Sequence, residues 1–520
     1  MDNNIVLNIF LTIMKICLHI FLGGINVIYN YITLERPFTG QGCGWVEHKI
    51  KVDKVQKQVN SWAGGDRKRK MCTARPVWKS VSVSKTNKSG YYQIDLGNLN
   101  DVVEINEEEM TVTVEPGMCI GRLTRILVKK GWTLPVVPEI DYLTVGGLIA
   151  GAGLESSSHN YGLFCQCVVE TEILMPNGEV LTCSREQNFD LANAIPHSYG
   201  TIGFITALKF KMIRAKKYVE LDYRFTNTIE DALKLINEGS SRHEFIEGIA
   251  YSKEKFLIMF GNMVDTVDPT KGRENPINRW YKKFFYLQVE EIVEKLIEKR
   301  NNNQIIEYVP LLQYYHRHSR GMFWLERYAN PFFYNSQIFM WLFGCTFPFH
   351  IDILGLISRP IYDVLYQSFM IQDFVVPEEK TAKLFNEADK MLNIYPVWMC
   401  PARTSETGGC FNIPEKYLNC LYIDLGFYGY PKKNKGDKLN RKPLLRHFEK
   451  FCLKNNGYQG LYADCYMSKE EFETMFDFKS FYYKVRKERN CDEAFPTVYD
   501  KISAKARNLE SDDDMNHKQC

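Results

Sequence analysis

The chain has 520 residues, of which 45% are hydrophobic and 24% charged, the composition of an ordinary globular protein and not of a disordered, collagenous or polytopic membrane chain. At about 100–200 residues per domain, two or three structural units are expected. The 65 basic and 62 acidic residues nearly cancel at +3, so no overall field favours nucleic acid as a partner.

Fifteen cysteines are scattered along the chain. The close pair Cys165 and Cys167 has one residue between its members, and neither a C-x-x-C nor a zinc-spaced Cys/His cluster occurs, so no metal site is expected. They read as buried thiols in a reducing compartment, with a disulfide framework the weaker alternative. Aromatics at 13% suit a large apolar cavity or a thick core.

In chain order, Ile5 to Ile32 is mostly apolar and exceeds the ~20 residues that span a bilayer. No small-residue cleavage site follows, so residues 1–35 read as an uncleaved anchor, with a cleaved signal peptide as the other reading. Arg36, Lys49, Lys51 and Lys54 follow it, and the positive-inside rule places the rest of the chain in the cytosol. The sequon Asn87-Lys88-Ser89 would then go unused. Val52, Val55, Val59 and Trp62 share a helical face, and Arg67-Lys68-Arg69-Lys70 reads equally as a headgroup contact or a solvated loop.

Short strands follow at Tyr92–Leu96, Val102–Ile105 and Met110–Glu115, then a helix over Cys119–Lys130. Val168–Met175 and Glu179–Cys183 flank Pro176-Asn177-Gly178, a hairpin signal, and Phe204–Met212 alternates as a half-buried strand. A new α+β unit begins near residue 216, with strands around Val219–Phe225, Phe245–Tyr251 and Phe256–Met263 and a helix carrying Ile229, Leu233 and Ile236. No internal repeat is visible. Ile338–Ile351 is apolar but too short, and too broken by Gly344 and Pro348, to span a membrane; it reads as a buried or membrane-dipping helix. Ser503–Cys520 reads as a frayed polar tail.

The most informative stretch is Leu143-Thr144-Val145-Gly146-Gly147-Leu148-Ile149-Ala150-Gly151-Ala152-Gly153-Leu154-Glu155-Ser156-Ser157-Ser158-His159. Small residues without charge until Glu155 let backbone lie against a flat or pyrophosphate-bearing ligand, with bare N–H groups facing phosphate oxygens. A Rossmann fingerprint is not supported: the third glycine is missing, and Pro135 and Pro138 precede the segment where a strand is required. A second cluster, Ser198-Tyr199-Gly200-Thr201-Ile202-Gly203, offers further N–H groups.

Met71-Cys72-Thr73-Ala74-Arg75-Pro76, Val114-Glu115-Pro116 and Thr144 to Phe164 resemble the FAD-binding domain of the Δ24-sterol reductases. These form the 24-dehydrocholesterol reductase or Diminuto-like family, within the vanillyl-alcohol oxidase/p-cresol methylhydroxylase flavoprotein superfamily. The resemblance continues through Phe245-Ile246-Glu247-Gly248, Tyr314-Tyr315-His316-Arg317-His318, Tyr395-Pro396-Val397-Trp398, Leu421-Tyr422-Ile423-Asp424, Leu461 to Met467 and Phe495 to Ile502. It covers nearly the whole chain after the anchor.

The resemblance implies an α+β fold. A two-lobed FAD-binding domain of the p-cresol methylhydroxylase type (45–215) is followed by an α+β substrate or cap domain (216–460), a C-terminal segment returning to the flavin (461–502) and a tail (503–520). It implies FAD along Thr144–Ser156, and a second flavin contact at Gly200, Thr201 and Gly203. Covalent relatives attach flavin through a His or Cys in an earlier loop; Cys72–Pro76 has no His, so dissociable FAD is expected, with Cys72 the residue to watch. Tyr142, His197 and Tyr430 depart from the family pattern.

The implied activity is NADPH-dependent saturation of the Δ24 double bond of a sterol side chain, by proton donation to carbon 24 and hydride delivery to carbon 25. The sterol would be drawn from membrane lipid at the endoplasmic reticulum, where other sterol-synthesis enzymes are possible neighbours. An unconjugated alkene requires a general acid, and the candidates by residue type are His316, Glu247 and Tyr462, then His318 and Asp464. His316 and His318 would share one face of a strand. A flavin oxidase of another lipid or alcohol, and a non-enzymatic membrane scaffold retaining the fold, are the alternative readings.

Overall fold

The computed structural model describes residues 21, 23–35, 38, 40, 42–76, 87–151, 153–298, 304–329, 331, 333–347, 369–403, 411–431 and 441–506. Two sheets organise it. The first has five antiparallel strands: β1 (Val102–Asn106), β2 (Thr111–Val114), β3 (Val168–Leu174), β4 (Val180–Ser184) and β5 (Phe204–Lys211), in the order β1-β2-β5-β3-β4. The expected hairpin is β3–β4, with Leu174 opposite Val180.

Helix Gly44–Ala63 lies on this sheet through Val52, Val55, Val59 and Trp62, the face its three-four spacing dictates. It is clamped by charge. His48 Nδ1 and Nε2 sit 2.9 Å from Glu115 and 3.1 Å from Glu172, and Lys51 Nζ is 3.0 Å from Asp101 and 3.1 Å from Glu115. Burial opposes charge on His48, but its hydrogen bonds to Glu115 and Glu172 win and raise its pKa to about 9. A pKa raised on folding contributes stability that is complete below the unfolded value of ~6.5 and vanishes as pH rises through the folded one. The melting temperature should therefore fall between pH 7 and pH 10. His48→Gln should flatten that slope and cost about 3 kcal/mol or more at pH 7, because it leaves two carboxylates without their imidazolium.

The basic run docks within the molecule. Arg67 Nη1 is 3.1 Å from Glu493, Lys70 Nζ donates to the Phe495 carbonyl and the Arg69 guanidinium lies over the Tyr92 ring. It thus ties the first domain to the C-terminal segment.

The second sheet has nine strands: β6 (Tyr218–Thr226), β7 (Phe245–Ser252), β8 (Lys255–Val264), β9 (Arg273–Glu274), β10 (Gln304–Pro310), β11 (Met370–Pro377), β12 (Val397–Arg403), β13 (Leu421–Gly429) and β14 (Tyr458–Gln459). Their order is β9-β10-β6-β8-β7-β12-β13-β11-β14. It contains a duplication that the sequence hides. β6, helix Ile229–Gly239, β7 and β8 form one strand–helix–strand–strand unit, and β11, helix Glu378–Met391, β12 and β13 form another. The two units meet at their second strands, where Ile249 of β7 faces Trp398 of β12. More than a hundred residues separate them in the chain, and their core residues differ, so no repeat is legible.

Of the expected anchor, residues 1–20 lie outside the described region. Residues 23–34 are helical and pack on the other apolar segment: Asn26 Nδ2 donates to the Thr346 carbonyl at 2.7 Å, and a side chain at Gly23 would collide with Thr346. The expected dipping segment is a helix, Gln337–Phe343, and a 3-10 turn, Gly344–Thr346; its residues 348–351 lie outside the described region. Among the described residues no helix is long and apolar enough to cross a membrane.

Candidate active site

A cavity of about 550 Å³ lies where the two domains and the C-terminal segment meet, within the usual size range of small-molecule sites. Thr144, Gly147, Leu148, Ala150, Gly151, Gly153 and Leu154 line it. The segment is not an extended loop: Val145–Gly151 is a short helix, preceded by turns, with Val145 and Ile149 turned into the core. Its glycines serve different ends. A Cβ at Gly151 would meet only Tyr199, at 3.8 Å, so the missing side chain leaves room in the cavity. A Cβ at Gly146 would strike Pro116, and one at Gly153 would press Phe164, so these two allow close packing behind the wall. Ala152 lies outside the described residues. Of the second cluster, Gly200 lines the cavity with φ +67°, a backbone that favours glycine, and with open space where a Cβ would be. Thr201 is buried against Tyr482, and Gly203 packs on Leu174.

Cations gather on this side. Arg75, Lys88 and Lys501 all line the cavity. Arg75 donates to Thr144 Oγ1 at 3.0 Å, Lys88 to the Thr73 and Arg75 carbonyls, and Lys501 to the Tyr199 carbonyl. Burial, then the like charge of Lys88, push the Lys501 ammonium down to about 8. An anion between them relieves that cost, so the open glycine wall and the cation group fit a dinucleotide carrying a diphosphate. Cys72 also lines the cavity, and burial raises its pKa, which keeps it a thiol.

Glu155 and Ser156 leave the wall and join the domains. Arg317, its side chain fully buried, donates from Nη2 to Glu155 at 2.7 Å and from Nε to Glu247 at 2.5 Å. Glu247 also receives His318 Nε2 at 3.0 Å and Trp398 Nε1 at 2.9 Å. Burial opposes its charge, but Arg317 and His318 hold its carboxyl far below the usual range. Glu247 is therefore a fixed carboxylate that does not line the cavity. It positions two residues that do: Trp398 directly, and Phe323 through His318, whose ring stacks on it at 4.4 Å.

His316 and His318 do not share a face. The segment is a helix, Leu311–Tyr315, running into turns, and sends His316 to Thr124 (2.8 Å) and His318 to Glu247. Burial lowers the His316 pKa to about 3, so it is neutral, and it lies outside the cavity. Asp464 faces Arg441 at 3.6 Å and also lies outside. Among the described residues no group of three metal-ligating side chains occurs. Tyr462 does line the cavity.

The residues that sequence reasoning missed stand beside Tyr462. Asp373 of β11 lies opposite Gly426 of β13 in the antiparallel register, which makes Asp424 its diagonal neighbour on the same face. Tyr428, two residues beyond Gly426, donates its hydroxyl to Asp373 Oδ1 at 2.6 Å, and Tyr462 donates to the same carboxyl. A Cβ at Gly426 would strike the Tyr428 hydroxyl, so this glycine makes the bond possible. Burial raises Asp373 to about 6, and burial followed by the charge of Asp373 raises Asp424 well above the usual carboxylate range. The alternation Asp424, Gly426, Tyr428 against Ile423, Leu425, Phe427 was the available signal. Glu139 is a further cavity carboxyl, raised by burial and then by the charge of Glu155. The remaining wall is apolar, with Leu143, Leu163, Met322, Leu325 and Val375.

A family model described as "FAD binding domain" matches residues 50–184. The chain is 39% identical to the Delta(24)-sterol reductase of Rattus norvegicus over 463 residues, 88% of this chain and 87% of the relative. It is 37% identical to the Delta(24)-sterol reductase homolog of Caenorhabditis elegans, over 88% of each. Identity to the Delta(24)-sterol reductase of Arabidopsis thaliana is 30%, over 90% of this chain and 86% of the relative. With this identity over nearly its full length, and a cavity whose walls suit the flavin dinucleotide, the chain belongs to the Delta(24)-sterol reductase family.

Proposed function

We propose that the chain reduces the Δ24 double bond of a sterol side chain, with FAD as its cofactor and NADPH as electron donor. The observation that carries this is the single cavity in which the glycine wall and its cations open directly onto an apolar, aromatic wall bearing carboxyls. When bound, FAD supplies the hydride that saturates the alkene. Gly147, Gly151 and Gly200 would give it a surface to lie on, and Arg75, Lys88 and Lys501 would hold its diphosphate. Trp398, Phe323 and the leucines exclude water and guide the sterol tail. Protonation at carbon 24 leaves the more stable tertiary cation at carbon 25, so the cavity must also hold an acid. Expression in cells lacking their own reductase should convert accumulated Δ24 sterols to their saturated counterparts. Unchanged sterol profiles with full protein accumulation would refute the reading.

We also infer that the sterol enters from the endoplasmic reticulum membrane, with the catalytic part in the cytosol. Phe21, Ile28 and Ile32 of the amino-terminal helix are well exposed, as are Ile338 and Trp341 of the helix beside it, and Trp280 pairs with Trp341. An exposed apolar surface rimmed by aromatics suits a membrane interface. Ile338→Ser with Trp341→Ser should raise KM for bilayer-borne sterol severalfold and leave FAD content unchanged. Unaltered kinetics would remove the entry route.

A further inference from the structure

Building on the reductase reading, we propose that Asp424 is the general acid that protonates carbon 24, and that the Asp373 carboxylate beside it stabilises the positive charge that then develops at carbon 25. Three geometric facts converge. Asp424 is 3% exposed, lines the cavity, and its Oδ1 has no hydrogen-bond partner. A buried polar oxygen left in that state is costly unless a ligand or a proton accounts for it. Its diagonal neighbour Asp373 is held by two phenols, Tyr428 and Tyr462. Among the described residues no cation pairs with either carboxyl, so burial, their mutual repulsion and the two phenols set which one keeps a proton.

The phenols stabilise charge on Asp373, and that charge in turn favours the protonated form of Asp424. The other titratable groups facing the pair are Tyr428 and Tyr462, whose own ionisation burial suppresses, and Cys400 of β12, directly opposite Asp424. Beyond Cys400 lies the Glu155–Arg317–Glu247 network, whose charges also act on that thiol. The other cavity carboxyl, Glu139, feels burial and the charge of Glu155 rather than that of this pair.

The step balances. The Asp424 O–H bond breaks as the two π electrons of the alkene form the new C–H bond at carbon 24. The cation left at carbon 25 accepts the hydride of the reduced flavin. Asp424, now a carboxylate, recovers its proton from water before the next turnover, and NADPH supplies the two electrons overall.

The test separates the half-reactions of the flavin-loaded enzyme. Asp424→Asn, nearly isosteric, should purify with normal flavin and be bleached by NADPH at close to the wild-type rate. Its reoxidation by a Δ24 sterol should be slower by roughly 10²–10⁴-fold, the usual weight of a general acid. In the wild type the reoxidation rate should fall tenfold per pH unit above the pair's upper pKa, and this limb should vanish in Asp424→Asn. Asp373→Asn should weaken equilibrium binding of a sterol bearing an ammonium in place of carbon 25 by about tenfold or more, a readout independent of turnover. Wild-type reoxidation in Asp424→Asn would overturn the assignment, as would loss of the alkaline limb in Glu139→Gln with Asp424→Asn intact. Failure of any sterol to reoxidise the wild type would instead refute the reductase reading itself.

Discussion

Arg317→Met is expected to be the most damaging single substitution outside the cavity. The methionine fills much of the same volume but leaves Glu155 and Glu247 buried without their cation. Removing one partner from a buried ionic group costs about 3–5 kcal/mol, because the charges left behind must take up protons or water. The loss also has a direction. Glu155 follows the glycine wall of the cavity and Glu247 belongs to β7, so the seam between them should open and bound flavin should leave before the chain unfolds. Thermal unfolding monitored by flavin release and by far-UV signal should separate into two events in the variant. Arg317→Lys should recover part of the stability, since it keeps the charge but loses the fork that reaches both carboxylates. A single, wild-type-like transition in Arg317→Met would show that the network is dispensable. Glu247→Gln makes the companion point: as a positioning residue it should lower flavin retention, whereas a proton donor would retain flavin and lose only reoxidation by sterol.

Gly151→Asp should abolish FAD binding in a protein that still folds. The helix Val145–Gly151 accepts a side chain there, since a Cβ finds only Tyr199 at ordinary contact distance. The added carboxylate then occupies the cavity and repels the diphosphate, and the affinity loss should exceed a hundredfold. Gly153→Asp should fail differently. Its Cβ would stand 3.0 Å from Phe164 Cβ, so the core must shift and the apoprotein itself should be destabilised. Circular dichroism of the two apoproteins distinguishes occlusion of the site from collapse of its support. Full flavin occupancy in Gly151→Asp would move the cofactor elsewhere.

Much of the fold was legible because one residue decides one thing locally. Val52, Val55, Val59 and Trp62 announce a buried helical stripe, and Val180–Ser184 pairs with Val168–Leu174 because Pro176-Asn177-Gly178 turns the chain between them. The glycine wall of the cavity was legible for the same reason, since a run of small uncharged residues lets a ligand approach the backbone. The acid pair was not. Asp373 and Asp424 are fifty-one residues apart, and only the register of β11 on β13 makes them neighbours. Glu247 and His316 have the right functional groups, yet their partners Arg317 and Thr124 lie far away in sequence and fix one as an anion and the other as a neutral imidazole. Lys501 shows the limit most plainly. A lone lysine near the end of the chain gives no hint that folding will set it beside Lys88 in the wall of the cavity.

Whether this one cavity passes electrons from NADPH through FAD to a sterol alkene can be measured directly. The most direct measurement is anaerobic: flavin-loaded protein is bleached with one equivalent of NADPH, then mixed with either a Δ24 sterol or its saturated counterpart. The Δ24 sterol alone should restore flavin absorbance, with one saturated sterol formed per flavin reoxidised. Flavin that stays bleached with the Δ24 sterol and recovers only on admitting oxygen would contradict it.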